Sequence, residues 1–231
     1  MARRQIRTLT PTELARVQQG ALVRIVDDDD SLRDALRFVL ETEGWRVADY
    51  RSANDFFRGD APSVPGCVVM DVRMPGLTGI EAQAVMNERG FSLPVIFLTG
   101  HGDIDMAVKT MKDGADDFLS KPVTPERLLD AIEKAVKRDA RIRTESAALE
   151  QARAAFRRLS AREQEVATGV ARGLLNKQIA YELNISEKTV IAHRSSLCKK
   201  LGARTAADIT RMLMTIDPDA ITGAPAPADG E

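Results

Sequence analysis

Polar side chains follow four short apolar runs of this sequence, at positions where buried β-strands would end. They are Asp27 and Asp28, Asp71, Thr99 and Lys121. Carboxylates packed together repel one another and raise their own pKa values, and a hard divalent cation removes that cost. A lysine ammonium group and a threonine hydroxyl group beside them suit a phosphoryl oxygen. The set therefore predicts a Mg²⁺ site at which one carboxylate accepts a phosphoryl group.

Asp71 is the expected acceptor, although ordinary structural roles compete with this interpretation. A strand-end aspartate often caps the turn that follows it, and an acidic run can cap the next helix. We assign the capping role to Asp29 and Asp30, which directly precede a helical pattern. Asp27 and Asp28 are assigned to the site, because clusters of perturbed carboxylates usually mark functional sites.

Strands and helices alternate between residues 22 and 138. This pattern predicts an α/β domain with a five-stranded parallel sheet of the flavodoxin-like, doubly wound kind, whose strands all end at the edge where ligands bind. The predicted strands are Leu22–Val26, one near Val47, one ending at Asp71, Val95–Thr99 and Asp117–Ser120. The predicted helices follow the acidic run, with Leu32, Ala35, Leu36 and Val39 on one face, and lie near Asn54–Arg58, Ile80–Glu88, Ile104–Lys112 and Pro125–Lys137.

Composition and charge narrow the class of protein. The chain of 231 residues has room for two ordinary domains, and no apolar run approaches the roughly 20 residues that cross a bilayer. Cys67 and Cys198 are expected to be reduced, as in a cytoplasmic protein. Residues 157–214 contain eleven basic and five acidic residues, whereas residues 22–156 contain 18 basic and 24 acidic ones. This division predicts that only the C-terminal part binds a polyanion.

The C-terminal part, residues 159–216, has the pattern of a small all-α domain of four helices, for which Ser160, Asn176 and Thr205 are among the expected N-terminal caps. Its second and third helices and the turn between them predict a helix-turn-helix. The third helix has a cationic surface suited to DNA and an apolar one formed by Val190, Ile191, Leu197 and Leu201. Alone, such a helix would more often be an ordinary solvated surface helix, so the prediction depends on the helix and turn before it.

Three further segments complete the organisation. Residues 1–21 are predicted to be an N-terminal extension with a short helix from Pro11 to about Gln19, and residues 217–231 a disordered tail. Residues 139–158 are predicted to be a helical linker, in which Ile142, Leu149 and Phe156 have the spacing of a coiled-coil seam. A solvated connector explains this spacing equally well.

Residues 22–138 resemble the receiver domain of bacterial two-component response regulators. The matching segments are Val26-Asp27-Asp28, Met70-Asp71-Val72-Arg73-Met74-Pro75-Gly76, Leu98-Thr99-Gly100 and Lys121-Pro122. The resemblance implies that a sensor histidine kinase phosphorylates Asp71. It also implies that Asp28, Asp71 and the backbone carbonyl group of Arg73 hold Mg²⁺, with Asp27 acting largely through water. Thr99 and Lys121 would bind the phosphoryl group, and the Lys121–Pro122 bond would be cis. Phe118 matches the aromatic residue that in this family swings inward when the threonine closes on the phosphoryl group. The alternative is that Phe118 simply packs in the core.

Residues 156–216 resemble the LuxR-type DNA-binding domain of the FixJ/NarL subfamily. The matching segments are residues 159–166, residues 176–180 and residues 186–194. The resemblance implies that DNA is contacted by Lys177, Lys188, Thr189, His193, Arg194 and Lys199.

The whole sequence predicts a transcriptional regulator that is a phosphoacceptor and not a turnover enzyme. Phosphorylation would reshape the face formed by Ile104–Lys112 and the last strand, so that two copies pair and bind promoter DNA. RNA polymerase is a further candidate partner.

Two alternative functions remain. An aspartate-dependent phosphohydrolase would carry a second acid where this chain has Arg73. A phosphorylation-independent DNA-binding protein would bind its operator equally with or without a phosphodonor.

Overall fold

The computed structural model describes residues 18–100 and 116–219. Five parallel strands form one sheet in the order β2-β1-β3-β4-β5. They are β1 (Leu22–Val26), β2 (Arg46–Tyr50), β3 (Gly66–Asp71), β4 (Val95–Thr99) and β5 (Asp117–Ser120). The chain reverses its direction of travel across the sheet between β1 and β3, which is the switch point of a flavodoxin-like fold. The predicted fold class is confirmed.

The helices of this region are α1 (Asp30–Thr42), α2 (Ala53–Gly59), α3 (Gly79–Glu88) and the first part of α4 (Pro125–Arg157). Side chains of β3 alternate between two apolar cores, as the two-residue period of a strand requires. Cys67 and Val69 belong to the core that α1 and α4 cover, and Val68 and Met70 belong to the core beneath α2 and α3. Burial of β3 on both faces explains why it is an unbroken apolar run that ends abruptly at a carboxylate.

The strands begin at one edge of the sheet, which we call the amino edge, and two arginines hold the loop there. Arg24 of β1 is fully buried and pairs with Asp60 at 2.7 Å. Its remaining donors bond backbone carbonyl groups of the same region at 3.0 Å, those of Leu22, Ala61 and Val64. The loop that leads into β3 is therefore held by a side chain from the neighbouring strand.

A second ion pair at the amino edge joins the same loop to α4. The buried carboxylate of Asp139 accepts a hydrogen bond from the backbone N–H of Gly66 at 2.9 Å and pairs with Arg143 at 2.8 Å. Arg143 also donates to the carbonyl groups of Pro62 and Ser63, at 3.0 and 2.9 Å. Gly66 has φ +147°, and a Cβ atom there would lie 1.9 Å from the backbone oxygen of Leu22.

Helix α4 is one uninterrupted helix of 33 residues. The last helix predicted for the receiver and the predicted helical linker are therefore continuous. The chain separates into two compact units between Arg143 and Thr144, within this helix and five residues beyond the predicted boundary at residue 138.

The C-terminal unit contains the four predicted short helices, α5 (Ala161–Ala171), α6 (Asn176–Glu182), α7 (Glu187–Leu201) and α8 (Ala206–Ile216), around one apolar core. Ser160 and Thr205 cap α5 and α8 as predicted. The predicted cap at Asn176 is wrong, since α6 begins at that residue and Gln178 accepts the N–H of Leu175 at 2.8 Å. The Asn176 side chain instead accepts a hydrogen bond from Arg194 at 2.6 Å.

Some predicted segments lie outside the described residues. They are the helix at Ile104–Lys112, the last part of the tail, and all but the end of the N-terminal helix. Within the ranges 18–100 and 116–219, no helix is both long and apolar enough to span a membrane.

Candidate functional site

The strand ends bring three carboxylates together at the opposite edge of the sheet, which we call the carboxyl edge. Asp27 and Asp28 follow β1, and Asp71 is the last residue of the adjacent β3. One oxygen from each of the three lies within 4.8 Å of the other two. Asp27 is 1% exposed and Asp71 is 8% exposed, whereas Asp28 is open to solvent. This arrangement offers an oxygen-rich site that solvent reaches from one side.

Lys121 lies between two of these carboxylates. Its Nζ is 2.7 Å from Oδ2 of Asp27 and 3.2 Å from Oδ2 of Asp71. Burial by itself would lower the pKa of Lys121, but the hydrogen bonds and charges of the two aspartates outweigh it and raise the pKa. The lysine is therefore a permanent cation bridging Asp27 and Asp71. The Lys121–Pro122 peptide bond that follows is cis, as the resemblance implied.

The surroundings of Asp71 change the pKa of its carboxylate. Burial raises its pKa, the charge of Lys121 opposes that rise, and the nearby charge of Asp27 adds to it. The backbone N–H of Arg73 also donates to the Asp71 carboxylate, which favours the charged form. The net result is a raised pKa, so the folded protein holds the charge of Asp71 at a cost in free energy that an additional cation would relieve.

Thr99 and Phe118 border the site on the next two strands. Thr99 is buried at the end of β4, its hydroxyl donates to the carbonyl oxygen of Gly100 at 3.2 Å, and its own carbonyl accepts the N–H of Lys121 at 2.6 Å. Phe118 of β5 is only partly buried, with its ring centroid 6.2 Å from that of Phe97. It packs against the core beneath α2 and α3, and one side of it remains accessible.

Asp27 is held in place by a residue that the sequence interpretation missed. Arg33 of α1 is 4% exposed and donates to the backbone oxygen of Asp27 at 2.6 Å, while forming an ion pair with Asp30. The N–H of Asp29 donates to Oδ1 of Asp27 at 2.9 Å, and Asp29 caps α1 as predicted. The helical spacing of Arg33 could have revealed its burial, because Arg33 shares one face of α1 with Leu36 and Leu40.

The predicted buried face of α1 is therefore only partly right. The structure buries Arg33, Leu36 and Leu40 and leaves Ala35 exposed. The buried face of α1 is rotated by about one residue relative to the predicted face, and this rotation lets Arg33 reach beneath the end of β1. The four residues predicted for that face line an open groove of about 500 Å³, together with Lys121, Pro122, Val123, Pro125 and Leu128.

In the C-terminal unit, α6, a tight turn and α7 form the predicted helix-turn-helix. Asn184 in the turn has φ +51°, a left-handed conformation that asparagine tolerates better than most residues. Ser186 then caps α7 by accepting the N–H of Thr189 at 3.1 Å. The chain thus reverses over a few residues and presents α7 beside α6.

Glu163 of α5 anchors α7 from the opposite side. Its carboxylate accepts hydrogen bonds from Lys200 at 2.7 Å, from Ser196 at 2.6 Å and from the N–H of Ser160 at 2.7 Å. These bonds, that of Lys200 above all, lower the pKa of Glu163 to about 2. The carboxylate is therefore charged at neutral pH and fixes the orientation of α7 about its axis.

The predicted DNA-contacting residues divide by exposure. Lys177, Lys188 and Lys199 are exposed, whereas Thr189, His193 and Arg194 are partly buried. Ile191, which the sequence interpretation assigned to the apolar face of α7, is 53% exposed. Val190 is fully buried, and the next residue of a helix lies about 100° away, which turns Ile191 outward.

Comparison with known families agrees with both units. The family described as the response regulator receiver domain matches residues 23–133. The family described as bacterial regulatory proteins, luxR family, matches residues 157–213.

Curated relatives match most of the chain. Nodulation protein W of Bradyrhizobium diazoefficiens is 42% identical over 196 residues, which cover 85% of this chain and 86% of that protein. The transcriptional regulatory protein FixJ of Azorhizobium caulinodans is 38% identical, with 83% of this chain and 91% of that protein covered. Among solved structures, the response regulator StyR superposes with a TM-score of 0.77 at 41% identity, covering 84% of this chain and 98% of that one. Full-length FixJ from B. japonicum gives a TM-score of 0.53 at 37% identity, covering 85% and 97%.

Proposed function

Because this chain belongs to the response regulators that join a receiver domain to a LuxR-type DNA-binding domain, we propose that phosphorylation of Asp71 by a sensor histidine kinase controls its binding to promoter DNA. The observation that carries the proposal is the bridge of Lys121 between Asp27 and Asp71. It holds the acceptor carboxylate beside a cation and two further acids, as phosphoryl transfer requires.

The donor set at the carboxyl edge fits Mg²⁺. Among the residues that the structure describes, three carboxylates lie together beside the ammonium group of Lys121, and such hard oxygen ligands are those that Mg²⁺ prefers. Asp28, Asp71 and the backbone carbonyl group of Arg73 would hold the ion directly, and Asp27 largely through water. When bound, Mg²⁺ supplies positive charge to the oxygens of the transferred phosphoryl group.

The side chains of the site have distinct roles in the transfer. An oxygen of Asp71 attacks phosphorus, so that a P–O bond forms as the P–N bond to the kinase histidine breaks. Lys121 neutralises charge on the phosphoryl oxygens, and the Thr99 hydroxyl donates to one of them. Movement of Thr99 toward the phosphoryl group draws Phe118 inward, because the ring is only partly buried and can occupy the space that Thr99 leaves.

The groove beside Lys121 is the proposed docking place for the kinase. A partner seated there lies next to the acceptor, because Lys121 lines the groove and also bonds Asp71.

Ala35→Asp, which puts a charge into the groove, should slow phosphoryl transfer from the kinase at least tenfold. It should leave phosphorylation by acetyl phosphate unchanged. Phe38→Asp is the matched control, since Phe38 is exposed on the same helix and does not line the groove. Equal transfer to the Ala35 variant and the wild type would disprove this docking place.

Phosphorylation adds about 1.5 to 2 negative charges at Asp71. We propose that the resulting change at Phe118 and β5 pairs two chains, which then bind a two-half-site operator. Lys177, Lys188, Thr189, His193, Arg194 and Lys199 are the proposed DNA contacts, and RNA polymerase is a further proposed partner.

The proposal is tested with the full chain, Mg²⁺ and acetyl phosphate. The wild type should become dimeric in analytical ultracentrifugation and bind promoter DNA more tightly, while Asp71→Asn should do neither. Asp130→Asn removes an exposed carboxylate of α4 and should behave as the wild type. The mechanism would be refuted if Asp71→Asn dimerised to the same extent as the wild type and did so only when the phosphodonor is present.

A further inference from the structure

The outward face of α7 carries an exposed isoleucine between two exposed lysines. Lys188, Ile191, Ala192, Ser195 and Lys199 are all exposed. At 100° per residue they fall within an arc of about 100° on one side of the helix. Fully buried side chains occupy the opposite side, those of Val190 and Leu197. These five residues, which we call the outward stripe, form the part of α7 that an incoming surface meets first.

Neighbouring polar side chains of α7 are already bonded within the C-terminal unit. The Thr189 hydroxyl is 2.7 Å from that of Ser186, and Arg194 donates to Asn176 at 2.6 Å. Lys200 is held by Glu163. These contacts keep α7 from rotating and place the bonded residues on its flanks. The outward stripe is therefore a defined surface with small side chains, Ala192 and Ser195, at its centre.

The chemistry of the outward stripe selects its target. A polyanion suits Lys188 and Lys199, but an exposed Ile191 also needs an apolar partner to leave water. The major groove of DNA offers one apolar group among its base edges, the C5 methyl group of thymine. The small residues beside Ile191 allow the helix to approach the base edges closely.

We propose that Ile191 recognises a thymine in each operator half-site by packing against its C5 methyl group, with Lys188 and Lys199 setting the register on flanking phosphates. The inference rests on the proposed binding of promoter DNA. Ile191 is thus a specificity-determining residue of α7.

The test isolates a single methyl group. The full chain, treated with acetyl phosphate and Mg²⁺, first selects a consensus from a library of randomised duplexes. Each consensus thymine is then replaced in turn by deoxyuridine, which lacks only the methyl group. The wild type should lose about fourfold in affinity at one position per half-site, the value of one buried methylene-sized group. The Ile191→Ala variant should bind the consensus duplex and the duplex with deoxyuridine at that position equally.

Two control variants separate this role from others. Met214→Ala removes an exposed apolar side chain from α8 and should preserve the fourfold discrimination. Lys188→Ala should weaken binding to both duplexes equally and flatten the salt dependence, as loss of a phosphate contact does.

The outcomes distinguish the inference from the function on which it rests. If Ile191→Ala discriminates thymine from deoxyuridine as the wild type does, or if the wild type discriminates at no position, the inference fails and DNA binding stands. If no duplex is enriched with or without phosphodonor, both fail.

Discussion

The two edges of the same sheet both bury charges, but they balance them differently. At the amino edge each buried anion has its own arginine, Asp60 with Arg24 and Asp139 with Arg143, and the arginines also bond backbone carbonyl groups. At the carboxyl edge the described residues place three carboxylates together, and the ammonium group of Lys121 pairs with two of them, Asp27 and Asp71. Balanced buried charges hold the loops they join, whereas unbalanced carboxylates favour the binding of a further cation. The imbalance, and not burial of charge as such, distinguishes the edge that carries the candidate site.

The largest effect on stability is expected at the balanced edge. Arg24→Ala leaves the Asp60 carboxylate buried without its cation and should lower the free energy of unfolding by about 3–5 kcal/mol. Urea unfolding measures the change. Arg37→Ala is the control, because Arg37 is 36% exposed and its loss should cost no more than about 1 kcal/mol. If the two variants lost the same free energy of unfolding, burial of the ion pair at the amino edge would not explain its contribution to stability.

A smaller loss is expected from the second amino-edge pair. Asp139→Ala removes the acceptor of the Gly66 N–H and the partner of Arg143, whose side chain is 27% exposed and can still be hydrated. The free energy of unfolding of the N-terminal unit should fall by about 2–3 kcal/mol. Hydrogen exchange of the Gly66 amide should accelerate in the variant, and an unchanged exchange rate would contradict this assignment.

Mg²⁺ should sharpen the contrast, because in the described part of the chain the three clustered carboxylates of the carboxyl edge outnumber the ammonium group of Lys121 beside them. At ten times its Kd, the ion should raise the free energy of unfolding by about 1.4 kcal/mol, and chelation should reverse the gain. Urea unfolding with and without Mg²⁺ measures it. Asp71→Asn should show a smaller gain, while Asp55→Asn, which alters an exposed carboxylate of α2, should match the wild type. A full gain in the Asp71 variant would place the ion elsewhere.

The smallest effect is the pH dependence of Asp71 itself, without Mg²⁺. Because the folded state raises the pKa of Asp71, its charge costs stability as pH rises above the ordinary carboxyl range, and the cost is complete above the raised pKa. Asp71→Asn should therefore be more stable than the wild type at pH 7. The difference should shrink as the pH is lowered toward the unfolded pKa. Lower stability of the variant at pH 7 would contradict a raised pKa.

Local pattern was sufficient to predict the strand ends, and with them the carboxyl edge. The positions of Asp71, Thr99 and Lys121 follow from short apolar runs, whose length and composition are visible within a few residues. The parallel order of the strands then brings these groups together. For the same reason the caps at Ser160 and Thr205 could be read from four consecutive residues.

Features that depend on distant partners could not be predicted. Arg24 meets Asp60 across 36 residues, and no local pattern pairs them. The buried face of α1 was misjudged by about one residue, and on α7 Ile191 was wrongly assigned to the apolar face, since a turn of 100° exchanges an exposed side chain for a buried one. That rotation is set by tertiary contacts, those of Arg33 with Asp27 and of Glu163 with Lys200.

Gly79, the first residue of α3, lies against the backbone of Asp71, the proposed phosphoacceptor. A Cβ atom at this position would be 2.2 Å from the backbone oxygen of Asp71, and the Gly79 N–H donates to the carbonyl of Val72 at 3.0 Å. Even the methyl group of alanine would therefore force the Asp71 peptide or the start of α3 to shift. The position of the proposed phosphoacceptor thus depends on the absence of a single methyl group from the first residue of α3.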